Sequence, residues 1–173
     1  MTFFELVDIL PLQLKVKLYN LKTLKERSDY HPEDNTFEHI KIVTERCIST
    51  GDNDLIMAGI FHDIGKLDAA FHVKENNYGT LSFYENLSKG KVKTYGHEHI
   101  AANIVDAYHW FVQDFGADYD TVRFLVSEHM RIKQLDKMKK QKVDILKSNP
   151  NFNKLLIFTD ADNMLKEFTH GQG

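Results

Sequence analysis

Leu55, Ile56, Ala58, Ile60, Phe61 and Ile64 make a nearly all-apolar segment, and the adjacent pair His62-Asp63 sits inside its end. A helix that is apolar all round belongs at the centre of a fold, covered on every side by other elements. The segment opens on Asp52 or Asn53, side chains suited to capping a helix N-terminus, and Gly65 is placed to end it. A carboxylate at the end of so buried a helix is costly without a partner. A metal ion is one way to supply the missing positive charge.

The segments around it also read as helices. Phe37, Ile40, Val43, Cys47 and Ile48 recur at helical spacing after Asn35 or Thr36. Ile100, Ile104 and Ala107 mark a further helix. Val122, Leu125, Val126 and His129 mark another, with Asp120 as a candidate cap. Phe152, Leu155, Leu156, Phe158, Ala161, Met164, Leu165 and Phe168 mark the last. Near the start, Leu12, Leu14, Val16 and Leu18 alternate as a strand would, while Leu14, Leu18, Leu21 and Leu24 suit a helix after Pro11. Because its neighbours are helical, helix is the expectation there too. The fold class expected is all-α, with about six or seven helices in one domain over residues 1–173. The stretch between Gly65 and Gly96 has weak periodicity and reads as a long loop, functional or disordered.

Composition narrows the classes. A formal charge of −3 argues against a general nucleic-acid or DNA binder. One cysteine, Cys47, cannot form an internal disulfide, which points to a reducing cytoplasm. No apolar run reaches membrane-spanning length.

Nine histidines are present, and several fall on inward faces. His39 shares a face with Val43; His129 shares one with Val122, Leu125 and Val126; His97 sits one turn before Ala101; Asp160 and Asp162 interrupt the apolar C-terminal segment. Taken singly, a histidine on an apolar face is usually a hydrogen-bonded core residue. Taken together, inward histidines and aspartates on separate helices need a common reason, and a metal ion provides one. Imidazole with carboxylate suits Mn, Fe, Co, Ni or Zn better than Mg.

With these motifs the chain resembles the HD-domain phosphohydrolase superfamily. The likeness runs from His31-Pro32-Glu33 and Phe37-Glu38-His39, through Phe61-His62-Asp63-Ile64-Gly65-Lys66 and Tyr95-Gly96-His97-Glu98, to Val126-Ser127-Glu128-His129-Met130-Arg131 and Thr159-Asp160-Ala161-Asp162. It looks closest to the HD module that follows the catalytic head of some bacterial tRNA nucleotidyltransferases. The resemblance implies a first metal held by His39, His62, Asp63 and a terminal aspartate, Asp162 by its preceding alanine, with Asp160 as the alternative. It implies that His97 and His129 hold a second metal bridged through Asp63, or contact a phosphate where only one metal binds. Asp63 and Lys66 would be catalytic, and Lys66 would meet a phosphate oxygen; apart from the resemblance, Lys66 also reads as a lysine at a helix C-terminus.

The activity implied is metal-dependent hydrolysis of a phosphomonoester or phosphodiester in a nucleotide or RNA terminus. No nucleotidyltransferase head precedes the module, so nucleotide addition is not expected. Alternatives are an HD-type diiron oxygenase and a non-catalytic nucleotide-sensing module. Glu38, Glu98 and Glu128, each beside a candidate ligand, read as solvated surface charge. Lys133, Lys137, Lys139, Lys140 and Lys142 read as a solvated helix face, or else as a phosphate-steering patch. Arg131 and His72 are candidate substrate contacts.

Overall fold

The structure is a computed structural model. It describes residues 1–25, 35–75, 78, 81–85, 87–88, 91–92 and 94–171, with side chains described at 1–25, 35–71, 78 and 94–163. The fold is all-α, as expected from the periodicity. The described residues include ten α-helices, more than expected, because short helices such as Phe3–Ile9 carry too few turns to leave a periodic pattern.

Helix α1 (Phe3–Ile9) begins with a reciprocal cap: Thr2 accepts from the Glu5 backbone while the Glu5 carboxylate accepts from the Thr2 backbone. Helix α2 (Leu12–Asn20) follows Pro11 and continues into a 3-10 turn, Leu21–Thr23. Leu14, Leu18 and Leu21 are buried, whereas Leu12 is 74% and Val16 51% exposed. A strand would have put Leu12 and Val16 on the same face as Leu14 and Leu18, so the exposure pattern itself marks the helix.

Helix α3 (Thr36–Thr50) is capped by Asn35, whose side chain accepts from the Glu38 backbone, and it ends at Gly51 with φ 72°. That left-handed geometry is the one that favours glycine at a helix end. Helix α4 (Asn53–Phe61) is capped by Asp52, and every residue from Leu55 to Phe61 is buried. It packs against α3, and its other faces are covered by the helices described next. The expected end at Gly65 is corrected: α4 stops at Phe61, a turn runs through His62-Asp63-Ile64-Gly65, and α5 (Lys66–Ala70) starts there. Gly65 has φ −84°, so conformational freedom is not its use. A Cβ on it would lie 2.7 Å from the His97 carbonyl oxygen and 3.0 Å from the Ala101 nitrogen. The glycine is there so that the His-Asp turn can press against the next long helix.

The expected loop from Gly65 to Gly96 is also corrected. It contains α5 and two small antiparallel ribbons, β1 (Phe71–Glu75) with β2 (Leu81–Glu85), and β3 (Leu87–Ser88) with β4 (Lys91–Val92). Val73, Phe83 and Tyr84 are good strand formers, but a five-residue ribbon gives too little alternation to stand out.

Helix α6 (His97–Ala107) follows Gly96 at φ 79°, and α7 (His109–Asp114) leads to α8 (Tyr119–Glu128). The cap of α8 is Asp118, which accepts from the Thr121 backbone; the expected Asp120 lies inside the helix. The chain ends with a 3-10 segment, Arg131–Lys137, then α9 (Lys140–Ser148) and α10 (Phe152–Gly171). Met164, Leu165 and Phe168, assigned to the last helix from sequence, have side chains outside the described residues. Helices α6, α8 and α10 join α3 around α4, and the buried apolar side chains form one continuous cluster. A fully buried Leu, Ile or Phe typically stabilises a fold by about 1.5–3 kcal/mol, so this shell can bear the cost of polar groups at its centre. Among the described residues no helix is long and apolar enough to cross a membrane.

Candidate metal centre

Each polar residue at the centre is brought there by an apolar stripe. On α3, Thr36, Ile40, Val43 and Cys47 turn one face inward and carry His39 with it. On α10, Leu155 and Phe158 are buried, and Asp162, one turn beyond Phe158, continues their face. Asp160, two residues earlier, is exposed, which removes it as the alternative to Asp162. His62 and Asp63 lie in the turn after α4, His97 is the first residue of α6, and His129 is the residue that ends α8. All six side chains are buried: His39, His62, Asp63, His97, His129 and Asp162.

Three of the histidines are oriented by their own backbone. Nδ1 of His62 donates to the Gly59 carbonyl at 2.9 Å, Nδ1 of His97 to Thr94 at 2.9 Å, and Nδ1 of His129 to Val126 at 2.6 Å. A carbonyl can only accept, so the Nδ1 proton is fixed and Nε2 is the atom left to give up its proton and bind a metal. These Nε2 atoms converge. His39 and His62 face each other at 3.4 Å, and His97 and His129 at 3.3 Å.

Asp63 stands between the two pairs. Its Oδ2 is 3.4 Å from His39 Nε2 and 3.2 Å from His62 Nε2; its Oδ1 is 3.0 Å from His97 Nε2 and 3.4 Å from His129 Nε2. Asp162 joins the first pair, with Oδ1 at 2.8 Å from His39 Nε2 and 3.4 Å from His62 Nε2. Without an ion, protons on Nε2 satisfy these contacts, since Nε2 of His62 lies 3.2 Å from Asp63 Oδ2 and 3.4 Å from Asp162 Oδ1; a metal ion replacing them would serve the same atoms. Metal bonds of about 2.1 Å place adjacent ligand atoms of an octahedron about 3.0 Å apart, close to the spacings seen. His39, His62 and Asp63 form one group that could hold a metal ion, and Asp63, His97 and His129 form another.

The lysines complete the electrostatics. Lys66 Nζ is 3.1 Å from Asp63 Oδ2, and Lys66 is the first residue of α5. The expectation of a lysine at a helix C-terminus is therefore corrected: a cation at an N-terminus opposes the helix dipole, so its attachment to Asp63 accounts for it better. Lys133, read from sequence as part of a solvated face, places Nζ 2.7 Å from Asp162 Oδ2. Lys133 is exposed, as that face requires, and its ammonium also reaches the centre. The only hint in the sequence was its position one turn after His129, hidden in a basic run. Lys137, Lys139, Lys140 and Lys142 are exposed, as a solvated face requires.

Burial works to raise the pKa of both carboxyl groups, yet both are held well below their ordinary range. His62 and Lys66 do this for Asp63; Lys133 and His39 do it for Asp162. Burial works to lower His62, but Asp63 and Asp162 push it up to about 10. His129 goes the other way, to about 4, chiefly through burial and with His62 and His97 adding to the effect. A divalent cation entering the His39–His62 side must displace the His62 proton, whereas His129 is already neutral at pH 7. The affinity for Mn(II) is thus expected to rise with pH, by about tenfold per unit over roughly pH 6 to 9 for one proton displaced. Calorimetric titration across that range checks this, and a flat affinity would contradict it.

The remaining candidates lie elsewhere. Arg131 pairs with Glu128 at 3.3 Å and its side chain is 47% exposed. The His72 side chain lies outside the described residues, as do His31 and His170. Glu38, Glu98 and Glu128 are half-buried rather than fully solvated, and Glu98 comes within 3.7 Å of His97 Nδ1. No protein-family model, curated protein or solved structure matches the chain.

Proposed function

We propose that this protein is a metal-dependent phosphohydrolase of the HD-domain type, cleaving a phosphomonoester or phosphodiester of a nucleotide or RNA terminus. The observation that supports it most is the double role of Asp63, whose two oxygens each meet a separate histidine pair. One ion would be held by His39, His62, Asp162 and Asp63 Oδ2, and a second by His97, His129 and Asp63 Oδ1. Mn, Fe, Co, Ni or Zn suits this mixture of imidazole and carboxylate better than Mg. A bound ion supplies Lewis acidity and a water of lowered pKa.

The residues themselves do the rest. Asp63 and Asp162 are balanced in charge by Lys66 and Lys133, so any divalent ion added leaves the centre positive and attractive to a phosphate. Lys66, anchored on Asp63, would supply the ammonium for a phosphoryl oxygen as charge gathers there. The Nδ1 bonds of His62, His97 and His129 hold their rings so that Nε2 need not reorient during turnover. The choice of nucleotide or RNA-end substrate rests on the resemblance to HD-domain proteins.

The experiment is phosphate release from nucleotides, cyclic nucleotides and phosphorylated RNA ends, each with the five metals in turn. Metal-dependent release from at least one substrate is the expected result. Its absence across the panel, or oxygen consumption by the iron-loaded protein in place of hydrolysis, would overturn the reading.

A further inference from the structure

Asp162 has two oxygens, and they face different neighbours. Oδ1 points at His39 and His62, while Oδ2 accepts from Lys133 Nζ at 2.7 Å. The Asp162 side chain is 2% exposed and that of Lys133 28%, so the ammonium closes the carboxylate from the solvent side. Arg46 on α3 holds the same turn of α10, donating from Nη1 to the Ala161 carbonyl at 3.1 Å. Arg46 thus fixes the backbone just before the aspartate, and Lys133 fixes the rotation of its carboxylate.

We propose that Lys133 is the positioning residue for Asp162: by holding Oδ2 it keeps Oδ1 aimed at His39 and His62 and strengthens divalent-cation binding at that half of the centre. The inference rests on the metal-centre reading above and deepens it. A short bond between ammonium and carboxylate is both strong and directional. A carboxylate with one oxygen already committed presents the other in a single orientation, and groups that orient metal ligands in this way are typically worth about 10–100-fold in metal affinity. The arrangement also links the two halves. Lys133 lies on the 3-10 segment one turn after His129, so one stretch of chain supplies a histidine to one half and orients the aspartate of the other.

A purely structural ion pair would look the same in a static picture, and removing one partner of it would cost stability whether or not it serves a metal. Metal affinity separates the two roles. Co(II) is titrated into the protein and followed by its visible absorption, using a His97→Ala background to weaken the other half. Lys133→Met is expected to weaken Co(II) binding by about 10–100-fold, with the helical circular dichroism of the metal-free protein retained and its thermal midpoint lowered, because Asp162 loses a charged partner. Lys133→Arg, which keeps a charged donor, is expected to restore most of the affinity. In an Asp162→Asn background, Lys133→Met should cause little further loss, because its effect passes through that carboxylate.

If the methionine variant loses its helical signal, Lys133→Ala takes its place in the same titration. Binding by the lysine-free variant as tight as wild type, or a full further loss in the Asp162→Asn background, would overturn the inference while leaving the metal centre standing. Failure of wild type itself to bind Co(II) would overturn both.

Discussion

Asp63→Asn is expected to bring metal-dependent phosphate release down to background, a loss of more than about a thousandfold. This exceeds the roughly 10²–10³ that one transition-state contact supplies, because Asp63 serves several groups at once. Its Oδ2 meets His39, His62 and Lys66, and its Oδ1 meets His97 and His129. Asparagine keeps the shape but offers an amide at one of those two ends and no charge at either. A histidine pair then loses its carboxylate oxygen, and the charge that pushes His62 up is halved to Asp162 alone. The fold should survive, because asparagine fills the same space within the intact shell of α3, α4, α6, α8 and α10. Three readouts check this together: phosphate release, bound metal by elemental analysis, and helical circular dichroism. A variant that kept its metal and more than a tenth of its rate would show that Asp63 is not the bridge.

Lys66→Ala is the second large effect, and it should differ in kind. The residue is buried, at 8% exposure, with its ammonium on Asp63 Oδ2. Removing it leaves both histidine pairs, Asp63 and Asp162 in place, so metal content should hold near the wild-type value. The ammonium expected to meet the phosphoryl oxygen is gone, and kcat should fall by roughly a hundredfold or more. Steady-state kinetics beside metal analysis separates the cases. Loss of metal in step with activity would make Lys66 a support for Asp63, and an unchanged kcat would remove it from the chemistry.

Much of this centre was legible because burial and polarity conflict visibly in a helical sequence. His39 beside Val43, and His62-Asp63 at the end of an apolar helix, stood out because polar groups there need a partner. Asp162 and Asp160 could not be separated by pattern alone. The buried stripe of Leu155 and Phe158 separates them, since it carries Asp162 inward and leaves Asp160 exposed.

Lys133 was hidden for a different reason. A lysine in a basic run reads as surface, and its reach to Asp162 depends on a tertiary approach between the 3-10 segment and α10. Gly65 was misread for a similar cause, since its role is set by the His97 carbonyl of another helix. Short elements escaped as well. Helix α1 and the ribbons are stabilised by what they pack on or pair with, and a few residues of each carry little periodicity of their own.

The most direct measurement of the central claim is anomalous diffraction from crystals soaked in Mn(II), with data collected at the manganese edge. The expected result is a peak among His39, His62, Asp162 and Asp63 Oδ2, with a second among His97, His129 and Asp63 Oδ1 when both halves fill. An absence of manganese from the cluster, or a refined structure with His62 and Asp63 turned away from His39, would contradict it.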